Sequence, residues 1–569
     1  MTVIAPRSAP LATPPPSTEP SPPARVGVVF VHGIGGQLPG ETLLDWSRPL
    51  IKALGEWRTA HGLPPDPVVE SAVDFSGATL PTIEIDVPAA PAGPTDEPAA
   101  PQRWLLTEAW WASRVRPPSL GTMTGWLRDD FGRVVEGIRA GYNARARAEA
   151  RRRKLVRLTG DFARLHAAGF DTRPWRWIDR LDRLQARLLS LALGVAWLLG
   201  FLVLLPYAAL RSLPIPGFRD AVVLRQLDSF LVDWFGDMRI LLHDPAQAAN
   251  IRARLSSAVS ELVARRCTEI VVVAHSGGAV VSFTTLSDPR WAPLPVTKLV
   301  TLGQGLDLAW RLENAWHGLP PGDRLIPRFD ALYPTLRWVD FWASFDPAPG
   351  GPLDAPPGVG AAPDDRPIRN RMSLTEDHGT YWDNDEEFVI PLLRELDTPS
   401  GPASRSRFFS DRASELVRVE RRRQRVGVLA AWRWVCLVAA LAAVGGAALH
   451  AAVAGGDRLR RLGETASTVF GAIPGTGVIG GPIDWLAGLA RWPAWLPTLG
   501  EWVLGVLVVA VGFVVLGRIG IARWNAWDLR ERWLGRSEPP RPLERQTVWL
   551  EAALLGAAAV VLAAAVAVT

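Results

Sequence analysis

The stretch EIVVVAHSGGAVVSF, residues 269–283, places a serine between a run of β-branched residues and a segment that can continue as a helix. A serine hydroxyl is a poor nucleophile at neutral pH. To attack an acyl carbon it needs a base within hydrogen-bond reach, an acid that orients the base, and donors for the oxyanion that develops. A turn that passes from strand to helix within about three residues strains its central residue and leaves room only for small neighbours. Ala274, two before Ser276, and Gly278, two after it, meet that requirement. The plainer reading is that Ser276 caps the helix that follows, and the pentapeptide alone leaves both open.

The elements that would position such a serine are visible on either side. RVGVVFVHGIGG (25–36) opens with an apolar run, Val26 to Val31, that fits a central parallel strand covered by helices on both faces. TLPTIEIDV (79–87) is a poorer strand, and PAAPAGPTDEPAAPQ (88–102) is a loop or linker. Asp244 and Pro245 form an N-cap and first-turn pair, and Ile251, Leu255, Val259, Leu262 and Val263 make one helix face that feeds the strand at 269. Further strands are expected at VTKLVTL (296–302), LRWVDFWA (336–343) and, after a Pro/Gly loop at 347–367, IRNRMSL (368–374); EEFVIPLLREL is a helix. This rhythm predicts an α/β class with a doubly wound, mostly parallel sheet. Residues 104–234 read as a helical insertion without sheet strands, and RARAEARRRKLVR (145–157) as a solvated or membrane-facing basic helix.

A VHGIGG strand end, an AHSGG turn, an Asp just after a later strand and a His later still stand in the order Ser, Asp, His. On these motifs the chain resembles a bacterial serine esterase or lipase of the α/β-hydrolase superfamily, over roughly 25–87 and 235–397. Carried over by position, the resemblance implies Ser276 as nucleophile, Asp346 in WASFDPAPG as acid and His378 in SLTEDHGTYW as base. The amides of Gly277 and Ile34 would bind the oxyanion, with His32 and Gly33 shaping their loop. Such an enzyme cleaves acyl esters through an acyl-enzyme and needs no cofactor. Asp340 is the second candidate acid; Asp377 abuts His378, His275 would point away from the site, and Asp237 reads as a helix cap more than a cleft residue.

The net charge of +5 is small and its clusters flank apolar segments, which argues against nucleic acid and for a lipid bilayer as partner. Cys267 and Cys436 cannot build a disulfide framework or metal set, and the first 24 residues are a Pro-rich disordered lead with no apolar run. Residues 401–569 read as a transmembrane region with spans near 434–455, 502–517 and 552–569, each with a Trp at or near an end. Arginines number eight in 405–425, four in 457–501 and seven in 518–545, which places the hydrolase part on the cytoplasmic side of a bacterial inner membrane. Residues 188–210 carry no charge and would reach about 35 Å as a helix. A single crossing there would put the strands at 26 and 269 in different compartments, so a re-entrant or interfacial hairpin bending near Gly200 is expected instead. Readings that keep the same residues are an acyltransferase or thioesterase using the triad, or an inactive hydrolase-like membrane scaffold. Oligomeric state is not legible.

Overall fold

Eight strands hydrogen-bond into one sheet in the computed structural model: β1 (Ala24–Val31), β2 (Val68–Ala72), β3 (Thr82–Val87), β4 (Gln102–Glu108), β5 (Glu269–His275), β6 (Lys298–Leu302), β7 (Arg337–Ala343) and β8 (Asp364–Ile368). Their order is β2-β3-β4-β1-β5-β6-β7-β8; the pairs from β4 to β8 are parallel, and β2 and β3 run antiparallel at one edge. The structure describes residues 23–72, 80–89, 100–112, 120–173, 237–288, 293–316, 333–348, 363–370 and 377–399, parts of 175–190 and 406–427, and isolated positions at 290 and 352–353.

Successive strand residues face opposite ways, so the continuous apolar runs of β1 and β5 feed two cores. Val28 and Phe30 of β1 and Val271 and Val273 of β5 pack against α1 (Glu41–Ala60) through Leu43, Leu50 and Leu54. The helices that follow in chain order are α2 (Leu120–Leu158), α3 (Gly160–Ala167), α4 (Asp237–His243), α5 (Pro245–Ala264), α6 (Gly277–Ser287), α7 (Leu306–Trp316) and α8 (Ile390–Asp397). On the other face, Val29, Val31 and Val272 share a core with α4, α5, α6 and α7, while α8 joins α1 on the first face. Asp244 caps α5 by accepting from the Gln247 amide, with Pro245 in the first turn as expected. Ile251, Leu255, Val259 and Leu262 are buried, whereas Val263, expected on the same face, is 47 % exposed because it lies about 100° further round the helix.

Three expectations change. The insertion does not begin at 104: Gln102–Glu108 is β4, hydrogen-bonded to β1 in parallel register. The strand that pairs with β7 is Asp364–Ile368 and not a run starting at 368; its charged, largely half-exposed sequence is one that a sheet edge tolerates. The basic segment 145–157 is not fully solvated, since Arg145 and Arg153 of α2 are buried and Arg152 and Arg153 pair with Glu149, Glu420 and Asp182. Among the described residues no helix is long and apolar enough to cross a membrane. The spans expected near 434–455, 502–517 and 552–569, the 1–22 lead and all of 191–236 lie outside the described residues.

At the end of the sheet away from Ser276, Lys298 is fully buried and its ammonium donates to the Glu395 carboxylate and to the Glu395 and Thr398 carbonyls. Burial lowers its pKa to about 8 against the attraction of Glu395. Burial opposes the Glu395 charge, but hydrogen bonds and charges from Arg337, Arg366 and Lys298 bring it down to about 2. Lys298→Met removes one partner of a buried pair and three hydrogen bonds, while Arg337 and Arg366 still hold the carboxylate. The expected cost is about 3 kcal/mol, read as a lowered urea midpoint with an unchanged slope.

Candidate active site

The register that sets Val31 beside Ala274 brings the loop after β1 against the turn after β5. Ser276 occupies that turn at φ 55° and ψ −122°, a region a side chain enters at a cost of roughly 1–3 kcal/mol. The surroundings hold it there. A Cβ added at Gly278 would lie 2.5 Å from the His32 carbonyl oxygen and closer still to that of Val31, and one at Gly33 would lie 2.8 Å from the Ser276 Cβ. Ser276 makes no side-chain cap to α6, which sets aside the simple capping reading. Its hydroxyl is instead 2.9 Å from His378 Nε2.

His378 Nδ1 lies 2.8 Å from Asp346 Oδ1, so the three residues expected as nucleophile, base and acid form one hydrogen-bonded chain. A carboxylate only accepts, which puts the proton on Nδ1 and leaves the Nε2 lone pair to accept from Ser276. Asp346 follows β7 and is fully buried. Besides His378 it accepts from the Ala348 amide at 2.9 Å and from the Tyr381 hydroxyl at 2.7 Å; that hydroxyl in turn accepts from the Ala343 amide at 2.9 Å. Burial opposes the Asp346 charge, but the nearby imidazole and these donors hold its pKa below the usual carboxylate value. Burial likewise opposes protonation of His378, and the charge and hydrogen bond of Asp346 outweigh it, so its pKa is raised. Tyr381 carries no sequence signal beyond its place three residues after His378.

The rival residues lie elsewhere. Asp340 accepts from the Thr301 hydroxyl at 2.6 Å, and burial pushes its pKa well up, as for a neutral acid. Asp377 is buried with its carbonyl accepting from Asn370. His275 makes no bond to Ser276, yet it is not remote: its Nε2 donates to the His378 carbonyl at 2.8 Å and its ring packs 4.5 Å from that of His378. Asp237 accepts from the Gly35 amide at 3.0 Å, tying the HGIGG loop to α4. His32 accepts at Nε2 from the Trp111 amide, so Nδ1 carries the proton donated to the Gly33 carbonyl, and the ring stacks on Trp111. An ideal Cβ on Gly277 would lie 2.9 Å from the Ile34 side chain and 3.4 Å from its amide nitrogen, so the residue after Ser276 packs against Ile34 of the loop after β1. Among the described residues neither the Gly277 nor the Ile34 amide has a hydrogen-bond acceptor.

Helix α2 grips the loop that carries Asp346. Tyr142 donates to the Phe345 carbonyl at 3.2 Å, Arg145 donates to the Ser344 carbonyl at 3.3 Å, and the Ser344 hydroxyl donates to Glu149 at 3.4 Å. Glu149 is itself buried among Arg152, Arg153 and Arg423. Two cavities open at the serine. One of about 240 Å³ has apolar walls, and the other, of about 290 Å³, has walls of mixed polarity that carry Gln37, Glu41, Thr42 and Asp45. Among the described residues no cluster of three His, Cys, Asp or Glu is placed to hold a metal ion, and burial pushes the Cys267 thiol up to about 11. No family model matches the chain, and no match was found among curated proteins or solved structures.

Burial holds the pKa of His32 down to about 4 against its bond to Gly33, and burial together with the neighbouring His378 holds His275 down to about 3. Below pH 6.5 the unfolded chain takes up protons that these two sites refuse, so their contribution to stability is complete above pH 6.5 and is lost as pH falls towards 4. Each should give a slope of about 1.4 kcal/mol per pH unit in that window. Urea midpoints measured from pH 7 to pH 5 should fall accordingly, and His275→Gln should remove about half of the slope.

Proposed function

We propose that this chain is a membrane-anchored serine hydrolase of the α/β-hydrolase type that cleaves carboxylic esters through an acyl-enzyme. The reading is carried by one observation: a serine held at positive φ, with bonds of 2.9 Å and 2.8 Å running from its hydroxyl through His378 to a buried carboxylate. In the mechanism, the Ser276 oxygen attacks the ester carbonyl carbon while His378 Nε2 takes its proton. The amides of Gly277 and Ile34 receive the oxyanion. The imidazolium, stabilised by Asp346, then protonates the departing alcohol, leaving the acyl group on Ser276. A water molecule, deprotonated by His378, attacks that ester and releases the carboxylic acid, which restores the serine.

The membrane part of the reading rests on the apolar segments of 401–569 and on the arginine alternation around them. That pattern supports a cytoplasmic hydrolase part at a bacterial inner membrane, where acyl esters of lipid origin are within reach of the site.

A fluorophosphonate probe should label the wild-type protein and not Ser276→Ala, and the same substitution should lower ester hydrolysis by on the order of 10^4. A folded wild-type protein that stays unlabelled would remove the reading. Because His378 must be neutral to accept the proton and its pKa is raised, the acid limb of kcat/KM should have its midpoint above pH 6.5. A stopped-buffer pH series of kcat/KM checks this.

A further inference from the structure

The two cavities at the serine differ in chemistry, and Ile34, Ser276 and His378 line both. The shared residues are those that would meet the reacting carbonyl, so the two arms of an ester would leave that point in opposite directions. Resting on the hydrolase reading, we infer that the substrate joins an unbranched acyl chain of about eight carbons to a polar alcohol that bears no negative charge, the chain lying in the apolar cavity.

The walls of the apolar cavity come from elements far apart in sequence: Val134 and Ile138 on α2, Leu241 and Leu242 on α4, Val280 on α6 and Leu308 on α7. Val134 and Ile138 are one helical turn apart, so α2 presents one continuous apolar stripe to the space. Away from Ser276 and His378, no described side chain of this lining would hydrogen-bond an alcohol's hydroxyls, and stripping them of water there without a partner is unfavourable. A methylene occupies about the volume of a water molecule, roughly 30 Å³, so the space of about 240 Å³ bounded by the described residues holds about eight carbons.

The second cavity is lined by Gln37, Glu41, Thr42, Asp45 and Trp46, beside His32 and His275. Among the described residues no lysine or arginine lines it; Asp45 pairs at 4.0 Å with the exposed Arg48, which lies outside the lining, and burial keeps both imidazoles neutral at pH 7. Hydroxyl groups find donors and acceptors there. A phosphate-bearing alcohol meets two carboxylates there and no cation among the described lining residues, so the electrostatics disfavour an anionic headgroup.

The test uses the full chain in detergent, with glycerol monoesters of acyl chains from two to sixteen carbons at submicellar concentration. kcat/KM should rise roughly fourfold per methylene up to about eight carbons and then fall. Ile138→Trp should move the optimum to a shorter chain, and Leu241→Trp, from the facing wall, should do the same if the first variant does not fold. A profile that is flat, or that climbs through sixteen carbons, overturns the chain assignment. Octanoylglycerol should be preferred at least tenfold over octanoylglycerol phosphate, and Asp45→Asn should narrow that ratio; equal or reversed preference in the wild type overturns the alcohol assignment. Fluorophosphonate labelling separates the two levels. A labelled Ser276 with the wrong length profile removes only this inference, whereas an unlabelled serine with no turnover at any length removes the hydrolase reading and this inference with it.

Discussion

The structure depends on a steric contact between the end of β1 and the turn after β5. The carbonyls of Val31 and His32 come so close to Gly278 that no side chain fits between them. This contact keeps the Ser276 backbone in a conformation that a free chain would leave, and it sets Gly277 against Ile34 of the loop after β1. The strain is distributed over a parallel strand pair with cores on both faces, which relaxation of one turn cannot escape.

The acid half is built on a different principle. Asp346 carries a charge where water is excluded, and it stays ionised because an imidazole, a backbone amide and a phenol all donate to it. Asp340, six residues earlier and equally buried, is pushed the other way by burial and by the charges of Asp365 and Asp346, despite donors from Thr301 and Gln304. Two aspartates on one strand and its following loop are thus driven in opposite directions by their neighbouring charges and donors. The loop is fixed further by α2, whose Tyr142 and Arg145 hold the carbonyls just before Asp346.

What was legible in the chain follows from range. The runs at 26–31 and 269–273 are apolar on both faces, a local signal, and the small residues around Ser276 are a local steric one, so both could be read directly. Asp346 and His378 were reachable through their order after strands. β4 was missed because QRWLLTE begins polar, follows a proline-rich stretch and runs into tryptophan-rich sequence. β8 was misplaced because DDRPI has no apolar period; its pairing with β7 decides it, and pairing is non-local. The same holds for Tyr381 under Asp346, for the His32–Trp111 pair and for the buried arginines of α2, whose partners lie far away in sequence. A basic run looks solvated until the acids that neutralise it come from elsewhere.

β1 is flanked in the sheet by β4 and β5, and its register sets Val26 opposite Trp104 on one side and Glu269 on the other. During synthesis the first neighbour emerges early, while the second trails by roughly 240 residues, a delay of about 10–50 s at ribosomal speed. Over that interval one rim of an oily strand is open to mispairing. The large segment between the two neighbours is at once what lengthens the wait and, through α2, part of what finally lines the pocket.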